Sequence, residues 1–237
     1  MIRTAVILAA GAGTRLGELG TRYSKPMVPL CGRPLIDWVI ERLRAAGLTR
    51  FVIVAHAGDV ALQRHARATG ADLALQTERR GIADALWCAK PLLDEDPSFL
   101  ACACDSLFAI ADLRRMLDVA AAYPDDAVVA VQTLDAGATA ARSAVVRDGD
   151  FVRAIIEKPP AGSAPSNVIS LPLYVLPHRM VARAAATAPL RGERYLSTAL
   201  SDEVAAGGRV RWIEFRERLE ITTADDLARV EAILATT

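Results

Sequence analysis

The sequence predicts an α/β protein in which helices cover both faces of a sheet that is parallel in its first half and mixed in its second. Three observations predict it: a short apolar run at the start, regular alternation of apolar runs with helical spacings as far as Tyr123, and a strand-rich, turn-rich chain from Ala127 onward.

Ala5 to Ala9 is wholly apolar, as a strand buried on both faces must be, and it stops at Ala10-Gly11-Ala12-Gly13. After Pro34, residues Leu35, Val39, Ile40 and Leu43 recur at helical spacing up to Gly47, a C-terminal stop, and Phe51 to Ala55 forms the next strand. One βαβ unit is then complete. The pattern continues with a helix from about Asp59 to Ala68, a strand from Leu73 to Gln76 and a helix from about Ile82 to Leu93. A strand from Phe99 to Cys104 and a helix from about Ile110 to Tyr123 follow. Beyond Ala127, strands are expected at Val128 to Gln132, Ser143 to Arg147 and Phe151 to Glu157, the last two joined by Asp148-Gly149, a hairpin signal. Pro159 to Pro165 reads as a mobile loop before a strand from Val168 to Leu176. Leu196 to Ala206, Val210 to Phe215 and Ala224 to Leu234 finish with helix, strand and helix. With neither an internal repeat nor a separating linker, residues 1–237 are expected to form a single domain.

Composition narrows function only by exclusion. The 237 residues are 52% apolar and 24% charged, and 28 basic residues balance 28 acidic ones. No global field therefore draws the chain to nucleic acid or to an anionic membrane. Cys31, Cys88, Cys102 and Cys104 lack the paired spacing of a zinc site, and His56, His65 and His178 fall in no ligand spacing. Without a secretory leader or a run long enough to span a bilayer, a soluble cytoplasmic protein with reduced thiols is expected.

The chemistry begins in Leu8-Ala9-Ala10-Gly11-Ala12-Gly13-Thr14-Arg15-Leu16, followed by Ser24-Lys25-Pro26-Met27. Glycines directly after a buried strand let backbone N–H groups turn toward phosphate oxygens, and Arg15 and Lys25 add positive charge. Neither the P-loop nor the dinucleotide fingerprint fits this spacing. Gln76 and Gly81 stand at a strand end and a helix start; Gln offers a donor and an acceptor to a base edge, and Gly removes a Cβ from the approach. Taken alone they also read as an ordinary strand end and helix entry. Asp105 follows a buried strand, where open α/β sheets bind ligands, and suits Mg²⁺, a hard ion that takes carboxylate and phosphate oxygens. Its structural alternative is a helix N-cap.

These motifs resemble the sugar-phosphate nucleotidyltransferase family, whose short single-domain members include glucose-1-phosphate thymidylyltransferase-like enzymes. The similarity runs almost end to end and implies a Rossmann-like three-layer α/β/α nucleotidyltransferase fold with a mixed central sheet. By match of motif, Leu8, Ala9, Ala10, Gly11, Gly13, Thr14, Gln76 and Gly81 bind nucleotide, and Arg15, Lys25, Asp105 and Lys158 form the catalytic set. Ile155-Ile156-Glu157-Lys158-Pro159 resembles the family's Glu-Lys-Pro, in which Glu binds acceptor hydroxyls and Lys the acceptor phosphate. Asn167 matches an Asn beside the sugar, although Pro172 stands where Gly is usual. Cys104 likewise replaces a Gly before Asp105. Leu219-Glu220-Ile221-Thr222-Thr223 aligns with the family's second metal-ligand segment, so Mg²⁺ is expected on Asp105 and Glu220, with Glu replacing Asp and Thr222 replacing Gly. Thr223 with Asp226 also reads as a helix N-cap.

The resemblance implies in-line attack of an acceptor phosphate on the α-phosphorus of a nucleoside triphosphate, with residues 1–125 binding nucleotide and 126–237 the acceptor. Nucleoside triphosphate and sugar 1-phosphate are the expected partners, neither nucleic acid nor membrane is, and a homodimer is compatible with a sequence that leaves oligomeric state open. A cytidylyltransferase of phosphorylated alcohols (polyol or choline phosphate) and a non-catalytic nucleotide-sugar sensor are the alternatives. The appended β-helix acyltransferase domain of some relatives is expected to be absent.

Overall fold

The computed structural model describes residues 2–135 and 142–236. Its strands are β1 Thr4–Leu8, β2 Pro29–Leu30, β3 Arg33–Pro34, β4 Arg50–His56, β5 Asp72–Gln76, β6 Ser98–Ala103 and β7 Ser106–Phe108. They continue as β8 Ala127–Thr133, β9 Ala144–Asp148, β10 Phe151–Ile156, β11 Val168–Pro177, β12 Val210–Glu214 and β13 Arg218–Glu220. The helices are α1 Glu18–Arg22, α2 Leu35–Ala45, α3 Val60–Ala68, α4 Ile82–Cys88, α5 Ile110–Ala122, α6 Arg179–Ala186, α7 Leu196–Ala205 and α8 Ala224–Leu234.

Nine strands form one sheet in the order β5-β4-β1-β6-β11-β8-β12-β10-β9. The strands β5, β4, β1 and β6 are parallel, β11 runs antiparallel to β6 and β8, and β12 is parallel to β8. All five residues of β1 are buried because both faces are covered. Ala5 and Ile7 point to a core shared with α2, α3, α5 and α8, while Val6 and Leu8 point to a second core shared with α4, α6 and α7. The result is the three-layer α/β/α arrangement with a mixed sheet. After β1 the chain builds outward to β4 and β5, then returns to place β6 on the other side of β1. The loop leaving β1 therefore opens at a topological switch point, where the crevice of such sheets lies.

Three local features differ from expectation. The helix beginning at Ile82 ends at Cys88 and gives way to a 3-10 turn at Lys90–Leu92, because Pro91 has no N–H with which to extend it. Helix α6 is not among the expected elements; its apolar stripe of Met180, Val181 and Ala184 is buried, while Arg179 and Arg183, one turn apart, are both held by the buried Glu203 of α7, at 3.0 Å and 3.1 Å. A two-stranded ribbon, β7 with β13, sits apart from the main sheet and pairs Ser106 with Glu220. Its neighbour Ile221 donates its N–H to the Asp105 carbonyl at 2.9 Å. Among the described residues no helix is long and apolar enough to cross a membrane.

Candidate active site

The carboxyl ends of β1, β5 and β6 open into a cleft of about 530 Å³ whose far wall comes from the second half of the chain. Gly13 takes a left-handed conformation (φ 63°) at the entry to a 3-10 turn, and a Cβ built on it would stand 3.1 Å from Lys25 Cβ. The glycine loop and the Lys25-Pro26 segment are thus packed backbone to side chain. Lys25, with only 11% of its side chain exposed, directs Nζ to within 2.6 Å of Asp105 Oδ2. Opposite charges at that distance in a poorly solvated cleft offset each other's burial. Asp105 caps no helix: it lies in the turn between β6 and β7, and Ala109 occupies the N-cap of α5.

Of the residues expected to bind nucleotide, Leu8, Ala10, Gly11, Gly13, Thr14, Arg15, Gln76 and Gly81 line the cleft; Ala9 instead packs into the core. Gln76 is buried, and its amide nitrogen donates to the Gly81 carbonyl at 3.2 Å and to Asp84 Oδ2 at 2.8 Å. Two acceptors fix the amide's orientation and leave Oε1 without a hydrogen bond among the described residues. Gly81 is obligatory on steric grounds: at φ 100° a Cβ would lie 2.4 Å from the Arg194 carbonyl oxygen, which accepts from the Ala83 N–H at 3.0 Å. Arg79 also lines the cleft and donates to the Ala10 carbonyl at 3.1 Å, whereas Arg80 is exposed and paired with Glu78.

On the opposite wall Glu157 accepts from both Ser143 and Ser197. Lys158 and Asn167, both expected beside the acceptor, are not among the lining residues. Lys158 adopts a left-handed backbone (φ 45°) that turns its Nζ to the Tyr195 hydroxyl at 2.7 Å and over the Tyr195 ring. Asn167 donates to the Leu134 carbonyl at 2.9 Å in an exposed position. Further residues line the cleft without an obvious local signal: Arg142, Ser143, Glu193, Tyr195, Ser197 and Arg218. A faint signal does exist in the period-two placement of Glu193, Tyr195 and Ser197. Burial and a hydrogen bond to Glu193 push the Tyr195 hydroxyl above its ordinary pKa, although Lys158 opposes them.

The Glu220 carboxylate reaches the cleft from β13, beside Asp105, and its Oε2 accepts from Arg218 at 2.6 Å and from Arg142 at 3.3 Å. Among the described residues no three His, Cys, Asp or Glu side chains converge. Asp105 and Glu220 are the carboxylates that could hold a divalent cation here, with further ligands needed from outside the described residues. Cys104 lines the cleft as a neutral thiol: burial pushes it up to about 12, with Asp105 adding to the effect and Lys25 opposing it, and pushes the buried Cys102 higher still.

Comparison with known proteins supplies the context. A family model described as nucleotidyl transferase matches residues 4–232. The bifunctional protein GlmU of Syntrophotalea carbinolica is 27% identical over 97% of this chain and 51% of its own length. That of Pelotomaculum thermopropionicum is 30% identical over 97% and 51%. The chain thus spans about half the length of the curated relatives it matches. In fold it is similar to a UDP-glucose pyrophosphorylase solved with UDP-glucose, at a TM-score of 0.86 and 20% identity, covering 100% of this chain and 99% of that one. It is similar also to a UTP-bound UGPase from Acinetobacter baumannii, at 0.83 and 21%, covering 99% and 93%. Enzymes of this kind generally use a divalent metal. From residue 4 to residue 232, this chain belongs to the nucleotidyl transferase family.

Proposed function

We propose that this chain joins a nucleoside triphosphate to a sugar 1-phosphate, giving a nucleoside diphosphate sugar and pyrophosphate, with Mg²⁺ as cofactor. The observation that carries the reading is the Lys25–Asp105 contact. It gathers a cation, a carboxylate and the glycine loop into one crevice, where a triphosphate and a divalent ion need to meet. Residues 1–125 take the nucleotide and 126–237 the acceptor.

Backbone N–H groups of the Gly11–Gly13 loop, with Arg15, hold the triphosphate, and Lys25 sits where negative charge grows on the leaving pyrophosphate. Asp105 and Glu220 would hold the metal, which when bound supplies charge neutralisation between the phosphates. Glu157, steadied by Ser143 and Ser197, accepts from acceptor hydroxyls. A phosphate monoester is already largely ionised at neutral pH, so the attack needs no general base and the cleft's task is alignment. Small phosphorylated metabolites of the cytoplasm are the substrates, rather than nucleic acid or membrane.

A pyrophosphate-release screen of the common nucleoside triphosphates against sugar and alcohol phosphates tests this. Turnover with a sugar 1-phosphate supports it. Turnover confined to CTP with an alcohol phosphate replaces it with a cytidylyltransferase, and nucleotide binding without turnover for any pair replaces it with a sensor.

A further inference from the structure

Arg218 is the most deeply buried cation of the cleft, with 6% of its side chain exposed, yet only one of its guanidinium nitrogens makes a hydrogen bond among the described residues, to Glu220. Arg142 approaches the same Glu220 oxygen through Nη1 and Nη2, both at 3.3 Å. One carboxylate therefore serves two guanidinium groups. With Lys25 committed to Asp105, three positive side chains face two negative ones, and one positive charge is left over. An uncompensated charge in so buried a place is costly unless a further anion joins it.

The position of the pair says what that anion is. Arg142 immediately precedes Ser143, which holds Glu157 on the hydroxyl-binding wall, and Arg218 stands two residues before Glu220, on the ribbon clamped to Asp105. The pair lies between the wall that reads hydroxyls and the carboxylates that face the triphosphate. Lys158, the cation expected for that place, points instead to Tyr195. We infer that Arg142 and Arg218 form the receptor for the acceptor's phosphate, and that Glu220 is the internal counter-ion that keeps them aimed until the phosphate displaces it. Planar guanidinium forks suit the tetrahedral, doubly charged end of a phosphate monoester. The inference rests on the proposed transfer reaction only in calling that phosphate the acceptor's.

The test is calorimetric titration of inorganic phosphate, without nucleotide or metal, into the wild-type chain and five variants. Arg142, two-fifths exposed, can be changed with little risk to the fold, and Arg218→Lys keeps the buried charge. Arg142→Gln is expected to weaken phosphate binding roughly ten- to hundredfold, the range of a lost charge-assisted hydrogen bond, with Arg218→Lys weaker by about tenfold. Glu220→Gln removes the competitor and is expected to tighten it severalfold, a gain that a merely structural salt bridge would not give. Lys158→Gln and Arg80→Gln, the latter an exposed arginine outside the cleft, are expected to stay within about twofold. No binding by the wild type, or binding lost in Lys158→Gln or Arg80→Gln but kept in Arg142→Gln, overturns the inference. With a productive substrate pair, Arg142→Gln should raise KM for the acceptor and leave KM for the triphosphate unchanged. If that split is missing while turnover persists, the receptor fails and the transfer reading stands. If no pair turns over but phosphate binding follows the arginines, the receptor stands and the transfer reading fails.

Discussion

Lys25 Nζ and Asp105 Oδ2 lie 2.6 Å apart although eighty residues separate them in the chain. The 3-10 turn Lys25–Met27, packed on the glycine loop that leaves β1, brings one end of that contact and the turn after β6 the other, so the pair reports on how that loop seats against the neighbouring strand end. Asp105→Asn is expected to lower pyrophosphate release by about a hundredfold or more, the scale seen when a charge-stabilising group is lost from an active site. Far-ultraviolet circular dichroism should be unchanged, and a variant that turns over at the normal rate would strike Asp105 from the mechanism.

Gly81→Ala is expected to destabilise the protein by about 3 kcal/mol or more, since the new methyl meets the Arg194 backbone and the residue keeps a positive φ. Gly149→Ala, also at positive φ but in open space, is expected to cost about 1 kcal/mol. Urea denaturation of the two variants side by side measures the difference, and equal costs would mean that the Arg194 contact is not tight.

At the start of α8, Thr223 accepts from the Asp226 N–H at 3.2 Å while Asp226 accepts from the Thr223 N–H at 2.9 Å. Thr223→Ala should therefore cost about 1 kcal/mol. Burial acts to raise the Asp226 pKa, but hydrogen bonds from Thr223 and Thr222 outweigh it and bring the net value below the ordinary carboxylate range. A depressed folded pKa stabilises the protein above the unfolded value, and that contribution fades as pH falls through the folded one. Asp226→Asn should consequently flatten the acid limb of a stability-against-pH curve measured below pH ~4, with little change in its shape near neutrality.

Native alkylation should label Cys31 first, because it is exposed, while Cys102 and Cys104 are buried and held as neutral thiols. Mass spectrometry after brief iodoacetamide treatment at pH 8 checks the order. Early labelling of Cys104 would mean that the strand end beside Asp105 opens to solvent.

Much of this architecture was legible because its signals are local. Ala5 to Leu8 is apolar on both faces, which only a central strand requires, and Gly11 and Gly13 follow at once. Asp148-Gly149 announces the β9–β10 turn in the same way. What escaped depends on contacts between distant residues. That Arg179 and Arg183 of α6 share Glu203 of α7 as their partner is decided only when the two helices pack. Arg142 and Arg218 lie seventy-six positions apart and meet only because Glu220 stands between them. The direction of the Lys158 side chain depends on a backbone angle of 45°, which no pattern of residue types reveals.

The absence of a side chain at Gly81 has a wider effect than local fit. Because Arg194 can touch that bare backbone, donate to the Arg80 carbonyl and accept from Ala83, the strip that would face the base is riveted to the strip that carries Glu193 and Tyr195. Movement of one rim of the crevice is thereby transmitted to the other. Occupancy on either bank should stiffen both, as amide hydrogen exchange across residues 78–84 and 192–198 would register.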